Sequence, residues 1–245
     1  MEALMAAGTE LRGRDSAIGI VGGMGPLASA EFFKKLSLAA LARGDAGLIR
    51  IVVDSDPAIP DRSAHILGTG PDPLPAMLAS VKRLEGAGAT LCTLASISAH
   101  AYLDGLKKGS SCAFASAFES MGSYIQAKHV GVKRIGVLAT SGTIKAGLFD
   151  RLLPELRVHY SDDEAQERFV NEAVFGRAGV KTGNLGEEPR HLLKQAAARL
   201  VARGSDLIIV ACAEMSLVLS QADVAVPLLD PMQILADDLA ARFRS

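Results

Sequence analysis

Short apolar runs alternate along the chain with longer segments that have apolar residues at helical spacing. AIGIVGG, LIRIVVD and TLCTLAS are rich in β-branched and aliphatic residues, and a segment with helical periodicity follows each of them. Continuous apolar runs are typical of strands buried on both faces of a parallel sheet. Their alternation with helices is typical of βα units. The pattern therefore predicts an α/β fold built on mostly parallel sheet.

This alternating pattern occurs twice. IGIVGGMG, which begins at Ile18, is echoed by IGVLATSG from Ile135, an offset of 117 residues (18 to 135). LEGAGATLCTLAS, which begins at Leu84, is echoed by LVARGSDLIIVAC from Leu200, an offset of 116 residues (84 to 200). Two nearly equal offsets indicate an internal duplication. The sequence thus predicts two similar parallel-sheet α/β subdomains related by pseudo-two-fold symmetry.

We expect the two subdomains to divide the chain discontinuously. The N-terminal subdomain is predicted to comprise residues 17-118 and a returning C-terminal helix within residues 226-245. Residues 119-225 are predicted to form the second subdomain. Because the carboxyl ends of equivalent strands face each other in such a duplication, we expect a ligand cleft between the halves.

The duplication places two chemically different residues at the same point of the repeat. Ser96 is the last residue of TLAS, and Cys212 is the last residue of IVAC. A lone cysteine beside an apolar run is usually a small buried hydrophobe. A polar, reactive residue at the end of both equivalent strands indicates a functional site instead. Cys92 and Cys112 have no such counterpart, and we interpret them as structural core residues.

Composition and charge narrow the functional classes. Lysines and arginines number 26 against 27 acidic residues, and aromatic residues make up 4%, so a basic nucleic-acid surface with stacking platforms is not evident. No apolar run reaches the roughly 18 residues of a membrane span, and charges interrupt the N-terminus where a secretory signal needs apolar residues. Three cysteines without metal-ligand spacing indicate neither a disulfide framework nor a metal site. We expect a cytoplasmic protein that binds a small molecule.

Six ordered motifs extend from about residue 17 to the C-terminus. They are IGIVGGMGPLASAEFF, AIPDRSAHILGTGPDP, GVLATSGTIKAGLFDRLL, GVKTGNL, ACAEMSLVL and VPLLDPM. With these motifs the chain resembles the aspartate/glutamate racemase family, and specifically its aspartate racemase branch. The resemblance implies two α/β subdomains, an active site in the cleft between them, no cofactor, and a homodimer.

The resemblance also implies acid/base catalysis by two thiols, one on each face of the substrate Cα. A thiolate removes the Cα proton while the opposite thiol delivers one, which inverts the stereocentre without pyridoxal phosphate. The family's Cys-Asn-Thr-Ala-His appears here as SISAH, from Ser96 to His100, and its Gly-Cys-Thr-Glu appears as ACAE, with Cys212 and Glu214. The chain therefore keeps one catalytic thiol and has a serine in place of the other.

Serine is a much weaker base than a thiolate. A thiol has an unperturbed pKa of about 8.5, a hydroxyl ionises far less readily, and each pKa unit costs about 1.4 kcal/mol. We therefore expect Ser96 to donate a proton or a hydrogen bond and to be a poor base. Two enantiomers interconvert with an equilibrium constant of one, so kcat/KM must be equal in the two directions. A weak base on one face therefore slows racemisation in both directions. His100 is the nearby candidate for acid/base support of the hydroxyl.

Two cationic residues and a hydroxyl-rich loop match the family's binding positions. Arg62 in IPDRS matches the arginine that binds the distal carboxylate of an acidic substrate, a role suited to a planar guanidinium. Lys181 in GVKTGNL matches a second cationic anchor. The resemblance implies that Thr140, Ser141 and Thr143 hold the α-carboxylate.

The glycine-rich loop GGMGPLAS is a further candidate binding element. It leads into a predicted helix with Pro26 in the first turn, where backbone N–H groups can bind an anion. Met24 is expected to line the pocket, and Ser98 and Glu214 are assigned to substrate binding by their motifs. Asp56 stands where family members tend to have asparagine, and its carboxylate would repel an acidic ligand or hold its ammonium group.

Three functional classes stay open on these residues. The first, which we favour, is an amino-acid racemase with Cys212 as the main acid/base group. The second is a single-cysteine decarboxylase, isomerase or lyase acting on a small dicarboxylate, which needs only one thiol. The third is a non-catalytic protein that binds dicarboxylates through Arg62 and Lys181. Ile97 and Ala213, which replace polar residues of the family motifs, favour the second and third classes.

A nicotinamide oxidoreductase is a weaker alternative. Gly23, Gly25 and Ala28 satisfy the Gly-x-Gly-x-x-Ala fingerprint of dinucleotide-binding folds. The acidic residue expected about 20 positions later is not there, since Asp54 and Asp56 lie about 30 positions beyond. A single dinucleotide site also fails to explain the duplication.

Overall fold

A computed structural model describes residues 17–44 and 49–242, and within these ranges two four-stranded parallel sheets form the framework. In spatial order, the first sheet contains β2 (Arg50–Ser55), β1 (Ala17–Gly22), β3 (Ala89–Leu94) and β4 (Ala113–Phe114). The second contains β6 (Arg157–Tyr160), β5 (Arg134–Leu138), β7 (Leu207–Val210) and β8 (Leu228–Leu229). Each sheet places its strands in the order second, first, third, fourth. The predicted α/β fold of two similar parallel-sheet halves is confirmed.

Helices flank both sheets. The first half contains α1 (Pro26–Ala42), α2 (Arg62–Ile66), α3 (Leu74–Gly86), α4 (Leu103–Gly109) and α5 (Ala117–Lys128). The second half contains α6 (Ser141–Lys145), α7 (Leu148–Leu152), α8 (Asp163–Ala165), α9 (Glu172–Phe175) and α10 (Glu187–Ala202), with a π-helix at Gln166–Asn171. Helix α11 (Pro231–Arg242) follows the last strand of the second sheet. Across residues 17–44 and 49–242, no helix combines the length and the apolar character that a membrane span requires. The N-terminal segment considered above for targeting features lies outside these residues.

The duplication extends to the packing inside each half. Gly19 on β1 and Gly136 on β5 have no room for a side chain, because a Cβ at either position would lie within 3.0 Å of a neighbouring side chain. Equivalent repeat positions crowd the two glycines: Leu84, Ala89 and Cys92 around Gly19, and Leu200, Ser205 and Ile208 around Gly136. The repeated glycines therefore allow the helix before the third strand to pack closely on the first strand in both halves.

One apolar cluster joins the two halves. It contains Ile18 of the first sheet and Ile135 of the second, and Phe118 packs edge-on against Phe149 with ring centroids 4.9 Å apart. Helix α11 packs against α1 and α5, both of which belong to the first half. The division at residues 118 and 226 stays a prediction. Helix α5 crosses its first boundary, and β8 lies beyond the second boundary but in the second sheet.

Cys92 and Cys112 are buried core residues, as the repeat analysis predicted. Their Sγ atoms lie 3.1 Å apart, and the Cys112 thiol also donates to the Ala89 carbonyl at 3.2 Å. Burial raises the pKa of both thiols. Two protonated thiols packed in the core have a structural role. The spacing of the two cysteines in the sequence does not predict the contact between them.

Candidate active site

Ser96 and Cys212 follow β3 and β7 at equivalent points. The N–H of the residue before each one donates to the carbonyl group near the end of the neighbouring strand: Ala95 to Val21 at 3.0 Å, and Ala211 to Leu138 at 2.8 Å. The same backbone hydrogen bond therefore fixes both segments at the carboxyl ends of their sheets. Both side chains then line one enclosed cavity between the halves.

The enclosed cavity is small, and it adjoins a much larger open cleft. Its volume is about 20 Å³, which is room for about one water molecule. The open cleft has a volume of about 640 Å³ and shares several lining residues with the cavity. The shared residues are Met24, Asp61, Arg62, Lys181 and Glu214. Because an amino acid is larger than one water molecule, its approach to Cys212 requires the enclosed cavity to widen.

Most residues predicted from the sequence meet at the enclosed cavity. They are Met24, Arg62, Ser96, Ser98, Thr140, Thr143, Lys181, Cys212 and Glu214. Sequence reasoning missed Asp61 and Ser63, which flank Arg62 in the IPDRS motif and also line the cavity. Their place beside a predicted binding residue was the available signal. Ile97 and Ala213 line the same cavity, so the two apolar replacements in the family motifs face the site.

The Cys212 thiol is buried and contacts a carboxylate. Its Sγ donates to Oε2 of Glu214 at 3.2 Å. Burial raises the pKa of the Cys212 thiol far above its ordinary value, the negative charge of Glu214 raises it further, and Lys181 opposes them. The thiol is therefore protonated in the free protein at neutral pH.

The Ser96 hydroxyl has a different environment. It lies 3.3 Å from the Ser98 hydroxyl, whereas Nδ1 of His100 lies 3.0 Å from the Ser96 carbonyl oxygen. Nε2 of His100 accepts from the Ala117 N–H at 3.1 Å, so the ring proton is assigned to Nδ1. Burial lowers the pKa of His100 to about 4. Both ring nitrogens are engaged by backbone groups, so His100 braces the loop and does not give the Ser96 hydroxyl the acid/base support that we expected.

Arg62 is a buried cation, 5% exposed, that is held by carbonyl groups. Its guanidinium donates to the Pro60 carbonyl at 2.9 Å and to the Met24 carbonyl. Its Nε has no hydrogen-bond partner among the described residues. Burial lowers the pKa of Arg62, and the neighbouring acids Asp61 and Glu214 oppose this shift. A fixed guanidinium with an unpaired N–H in a cavity wall is suited to binding an anion.

Lys181 approaches the same cavity from the second half. It lies on a 3₁₀ turn, Val180–Thr182, and its Nζ is 4.8 Å from the centroid of the Phe175 ring. This cation–π contact positions the ammonium group without neutralising it. Within the described parts of the chain, no carboxylate oxygen lies within 4.0 Å of Nζ. Lys181 therefore offers its charge to a ligand in the cleft.

Threonine hydroxyls cover another wall of the enclosed cavity. Oγ1 of Thr140 lies 3.2 Å from Oγ1 of Thr143 and 3.4 Å from the Ser63 hydroxyl. Helix α6 reaches α2 closely enough for this contact because residue 142 is glycine. A Cβ on Gly142 would lie 2.4 Å from the Ser63 side chain. The close approach of the two short helices joins the hydroxyl groups of both halves at the cavity.

Besides His100, two predicted residues lie outside the cavity. Asp56 accepts from Arg83 at 2.8 Å and from the Ala58 N–H at 2.9 Å, which engages both of its carboxylate oxygens. Ser141 donates to Asn171 at 3.3 Å. Neither residue lines the enclosed cavity or the open cleft. The expected contacts of Asp56 and Ser141 with the substrate are therefore not part of this geometry.

The glycine loop before α1 closes the remaining wall. Gly23 has φ +86°, and a Cβ there would come within 2.4 Å of the Asp56 backbone, so only glycine fits. Gly25 caps α1, and a Cβ on it would lie 3.0 Å from Oε1 of Glu214. The loop therefore turns tightly past Asp56 and leaves space beside the Glu214 carboxylate.

The cavity wall contains two cations, Arg62 and Lys181, and two acids, Asp61 and Glu214. This mixture is suited to a ligand that carries charges of both signs. Among the described residues, no group of three or more histidine, cysteine or acidic side chains is arranged to hold a metal ion. The wall therefore has the composition of a site for a small zwitterion.

The duplicated parallel-sheet halves bring a thiol and a hydroxyl together beside a charged cleft. Residues 21–239 match the model of the Asp/Glu/Hydantoin racemase family, and the chain belongs to that family. The Picrophilus torridus aspartate racemase is 25% identical and superimposes with a TM-score of 0.77 over 92% of this chain and 93% of that one. A glutamate racemase isoform from Bacillus anthracis shares the fold, with a TM-score of 0.62, 18% identity, and coverage of 94% and 82%.

A curated relative matches part of the chain. The uncharacterized protein in the pnlA 3′ region of Pectobacterium carotovorum subsp. carotovorum is 33% identical over 95 residues. The match covers 38% of this chain and 61% of that protein. The similarity thus spans less than two thirds of the relative's length.

Proposed function

We propose that this protein is a racemase of a small acidic amino acid, with Cys212 as the main acid/base group and Ser96 on the opposite face of the substrate. The observation that carries the proposal is that the ends of β3 and β7 bring Ser96 and Cys212 to one cavity with Arg62 and Lys181. Family membership over residues 21–239 and the similarity to an aspartate racemase support the same class of reaction.

Both carboxylates of an acidic amino acid have partners in this proposal. Arg62 binds the distal carboxylate through its unpaired guanidinium N–H, and Lys181 adds a second positive charge. The hydroxyls of Thr140 and Thr143 donate to the α-carboxylate. The Cα–H bond then lies between Cys212 and Ser96. Positioning of this kind contributes much of the rate acceleration of an enzyme.

The proton transfers are unequal in this proposal. Cys212 first passes its own proton to Oε2 of Glu214, which later releases it to solvent, and the thiolate then takes the Cα proton from one face of the substrate. Ser96 delivers its hydroxyl proton to the other face and recovers a proton from solvent. In the reverse direction Ser96 would have to act as a base, although its hydroxyl contacts only the Ser98 hydroxyl. Racemisation is therefore slow relative to an enzyme with two thiols.

A second candidate is a reaction that uses only one face of the substrate. Ile97 and Ala213 are 2% and 8% exposed and line the cavity with apolar groups. They leave fewer hydrogen-bonding groups around a substrate, as suits a single-cysteine decarboxylase, isomerase or lyase acting on a small dicarboxylate. If Arg62 and Lys181 bind a dicarboxylate that the protein does not convert, the protein is a non-catalytic dicarboxylate-binding relative. We rank both behind the racemase because Ser96 lines the cavity together with Cys212, and because the family match and the similarity to an aspartate racemase favour that reaction.

We further propose that the enzyme needs no pyridoxal phosphate, because Cys212 and Ser96 supply an acid and a base. We also propose that the protein is a homodimer, as the family resemblance implies, and that it acts in the cytoplasm. Light scattering of the purified protein checks the dimer. Activity after exhaustive dialysis, compared with activity after addition of pyridoxal phosphate, checks the cofactor requirement.

The direct test is exchange of the Cα proton in D₂O, followed by NMR on both enantiomers of aspartate and glutamate. Chiral chromatography of the same samples measures inversion, and Cys212→Ala serves as the matched variant. Exchange with inversion that is lost in the variant supports the racemase. Exchange with retention in the wild-type protein supports the one-sided reaction. No exchange with any of the four ligands contradicts action on acidic amino acids.

A further inference from the structure

The two carboxylates of the cleft, Asp61 and Glu214, differ in how many of their hydrogen bonds the protein supplies. Oδ1 of Asp61 accepts from the Ala64 N–H at 2.7 Å and so caps α2. Oε2 of Glu214 accepts from the Cys212 thiol at 3.2 Å. Oε1 of Glu214 is buried and has no hydrogen-bond partner among the described residues. A buried carboxylate oxygen without a donor is costly, because it has lost its hydration without compensation.

The surroundings of this oxygen place it where the cavity meets the cleft. Glu214 lines both the enclosed cavity and the open cleft, so a ligand that enters from the cleft meets this side chain once the cavity widens. A Cβ on Gly25 would lie 3.0 Å from Oε1, which means that the glycine keeps this side of the carboxylate open. Arg62 is engaged with the Pro60 and Met24 carbonyls instead of Glu214. The protein itself therefore leaves Oε1 for a ligand.

We propose that Oε1 of Glu214 accepts a hydrogen bond from the α-ammonium group of the substrate and so selects aminated diacids over diacids without an amino group. This inference rests on the proposed function and names the residue that distinguishes its two candidate substrate classes. An ammonium group supplies both the donor and the positive charge that Oε1 lacks, whereas a malonate or succinate would bring only further negative charge.

The arrangement also links recognition to the reacting thiol. The same carboxylate would hold the ammonium group on Oε1 and the thiol proton on Oε2. The negative charge of Glu214 opposes ionisation of Cys212 in the free protein. An ammonium group on Oε1 would offset that charge, so an aminated substrate would favour the thiolate that removes its proton. A diacid without an amino group would not.

Binding measurements separate this inference from the proposed reaction. Isothermal calorimetry with L-aspartate, D-aspartate, malate and succinate is carried out on the wild-type protein, on Glu214→Gln and on the control variant Glu188→Gln. We expect the wild type to bind one aspartate enantiomer at least about tenfold more tightly than malate or succinate, as a charge-assisted hydrogen bond implies. Glu214→Gln is expected to lose that preference, with unchanged or tighter succinate binding. Glu188→Gln is expected to keep it, because Glu188 is exposed at the start of α10 and lines neither the cavity nor the cleft.

Each other outcome overturns the inference. Equal binding of aspartate, malate and succinate by the wild type excludes an ammonium acceptor, and this comparison needs no variant to fold. An unchanged aspartate preference in Glu214→Gln, with thermal unfolding to confirm that the variant is folded, removes the role from Glu214. A Glu214-dependent preference for aspartate without proton exchange would support the inference and contradict the proposed racemase.

Discussion

The ends of β3 and β7 are equivalent in backbone and different in chemistry. The same hydrogen bond to the neighbouring strand precedes Ser96 and Cys212. Beyond that point the first segment places a hydroxyl beside another hydroxyl and a histidine against the backbone, whereas the second places a thiol beside a carboxylate. Duplication has therefore fixed where the two groups lie, and local partners decide which of them can exchange a proton.

The two segments also differ in the role of their buried ionisable residue, which is His100 in the first segment and Glu214 in the second. His100 uses both ring nitrogens to hold the chain, and burial lowers its pKa to about 4. Glu214 keeps one oxygen without a partner and the other on the reacting thiol. In the Ser96 segment the hydrogen bonds of the buried histidine hold the backbone in place. In the Cys212 segment one buried carboxylate oxygen has no hydrogen-bond partner among the described residues of the free protein. Unsatisfied buried polar groups are typical of sites that a ligand completes.

Removal of the thiol is expected to have the largest effect. Cys212→Ala should lower the rate of Cα proton exchange by about 10²–10⁴, because it removes the main acid/base group. Cys112→Ala is the matched control, since Cys112 is a buried thiol outside the cavity. The exchange rate of both variants is followed by NMR. A similar loss in both would show that the effect is one of folding.

Restoring a thiol on the opposite face would make the two segments chemically alike. Ser96→Cys is expected to raise the rate of aspartate racemisation by about tenfold to a hundredfold, because a thiol with a pKa near 8.5 is a far better base than a hydroxyl. Chiral chromatography measures the rate in both directions. No gain, in a variant that still binds aspartate, would mean that Ser96 does not face the substrate Cα.

The histidine that braces the Ser96 segment should make stability depend on pH. The pKa of His100 falls from 6.5 to about 4 on folding, so the unfolded state binds more protons between these values. Stability due to this residue is complete above pH 6.5 and falls as the pH drops towards 4, with a loss of about 2 kcal/mol between pH 7 and 5. His100→Asn should flatten this dependence, measured by urea unfolding. An unchanged slope would show that His100 does not titrate as described.

The smallest expected effect concerns the reactivity of the thiol. Glu214→Gln removes the negative charge that raises the pKa of Cys212, so its alkylation at pH 8 should accelerate by several-fold, up to about tenfold per unit of pKa. Glu214→Asp keeps the charge and is the matched control. Peptide mass spectrometry distinguishes Cys212 from Cys92 and Cys112. Equal alkylation of the two variants would remove Glu214 as a cause of the raised pKa.

The fold could be predicted from the sequence because its signals are local and repeated. Apolar runs identified the strands, and the echoes at Ile135 and Leu200 identified the second half. Motif positions also brought Arg62, Lys181 and Thr140 to the cavity. Thr140 occupies the N-cap position of α6, Lys181 lies on a 3₁₀ turn and Arg62 begins α2, so each lies at a junction that the local sequence determines.

The sequence did not predict the roles of side chains that form hydrogen bonds with residues far along the chain. Asp56 pairs with Arg83, which lies 27 residues further along the chain. His100 accepts from the N–H of Ala117, 17 residues on, and this contact removes it from the expected chemistry. Such partners are set by the packing of helices on the sheet, and no spacing in the sequence reports them. The motif indicated the neighbourhood of each residue but not its partner.

In the proposed racemase the two faces of the substrate meet unequal groups, and the Ser96→Ala variant leaves only the Cys212 face active. Both aspartate enantiomers are incubated with this variant in D₂O, and NMR and chiral chromatography follow exchange and inversion. We predict that one enantiomer still exchanges its Cα proton with retention, because Cys212 can remove and return a proton alone, while inversion is lost. Unchanged racemisation, or loss of exchange for both enantiomers as in Cys212→Ala, would contradict the claim.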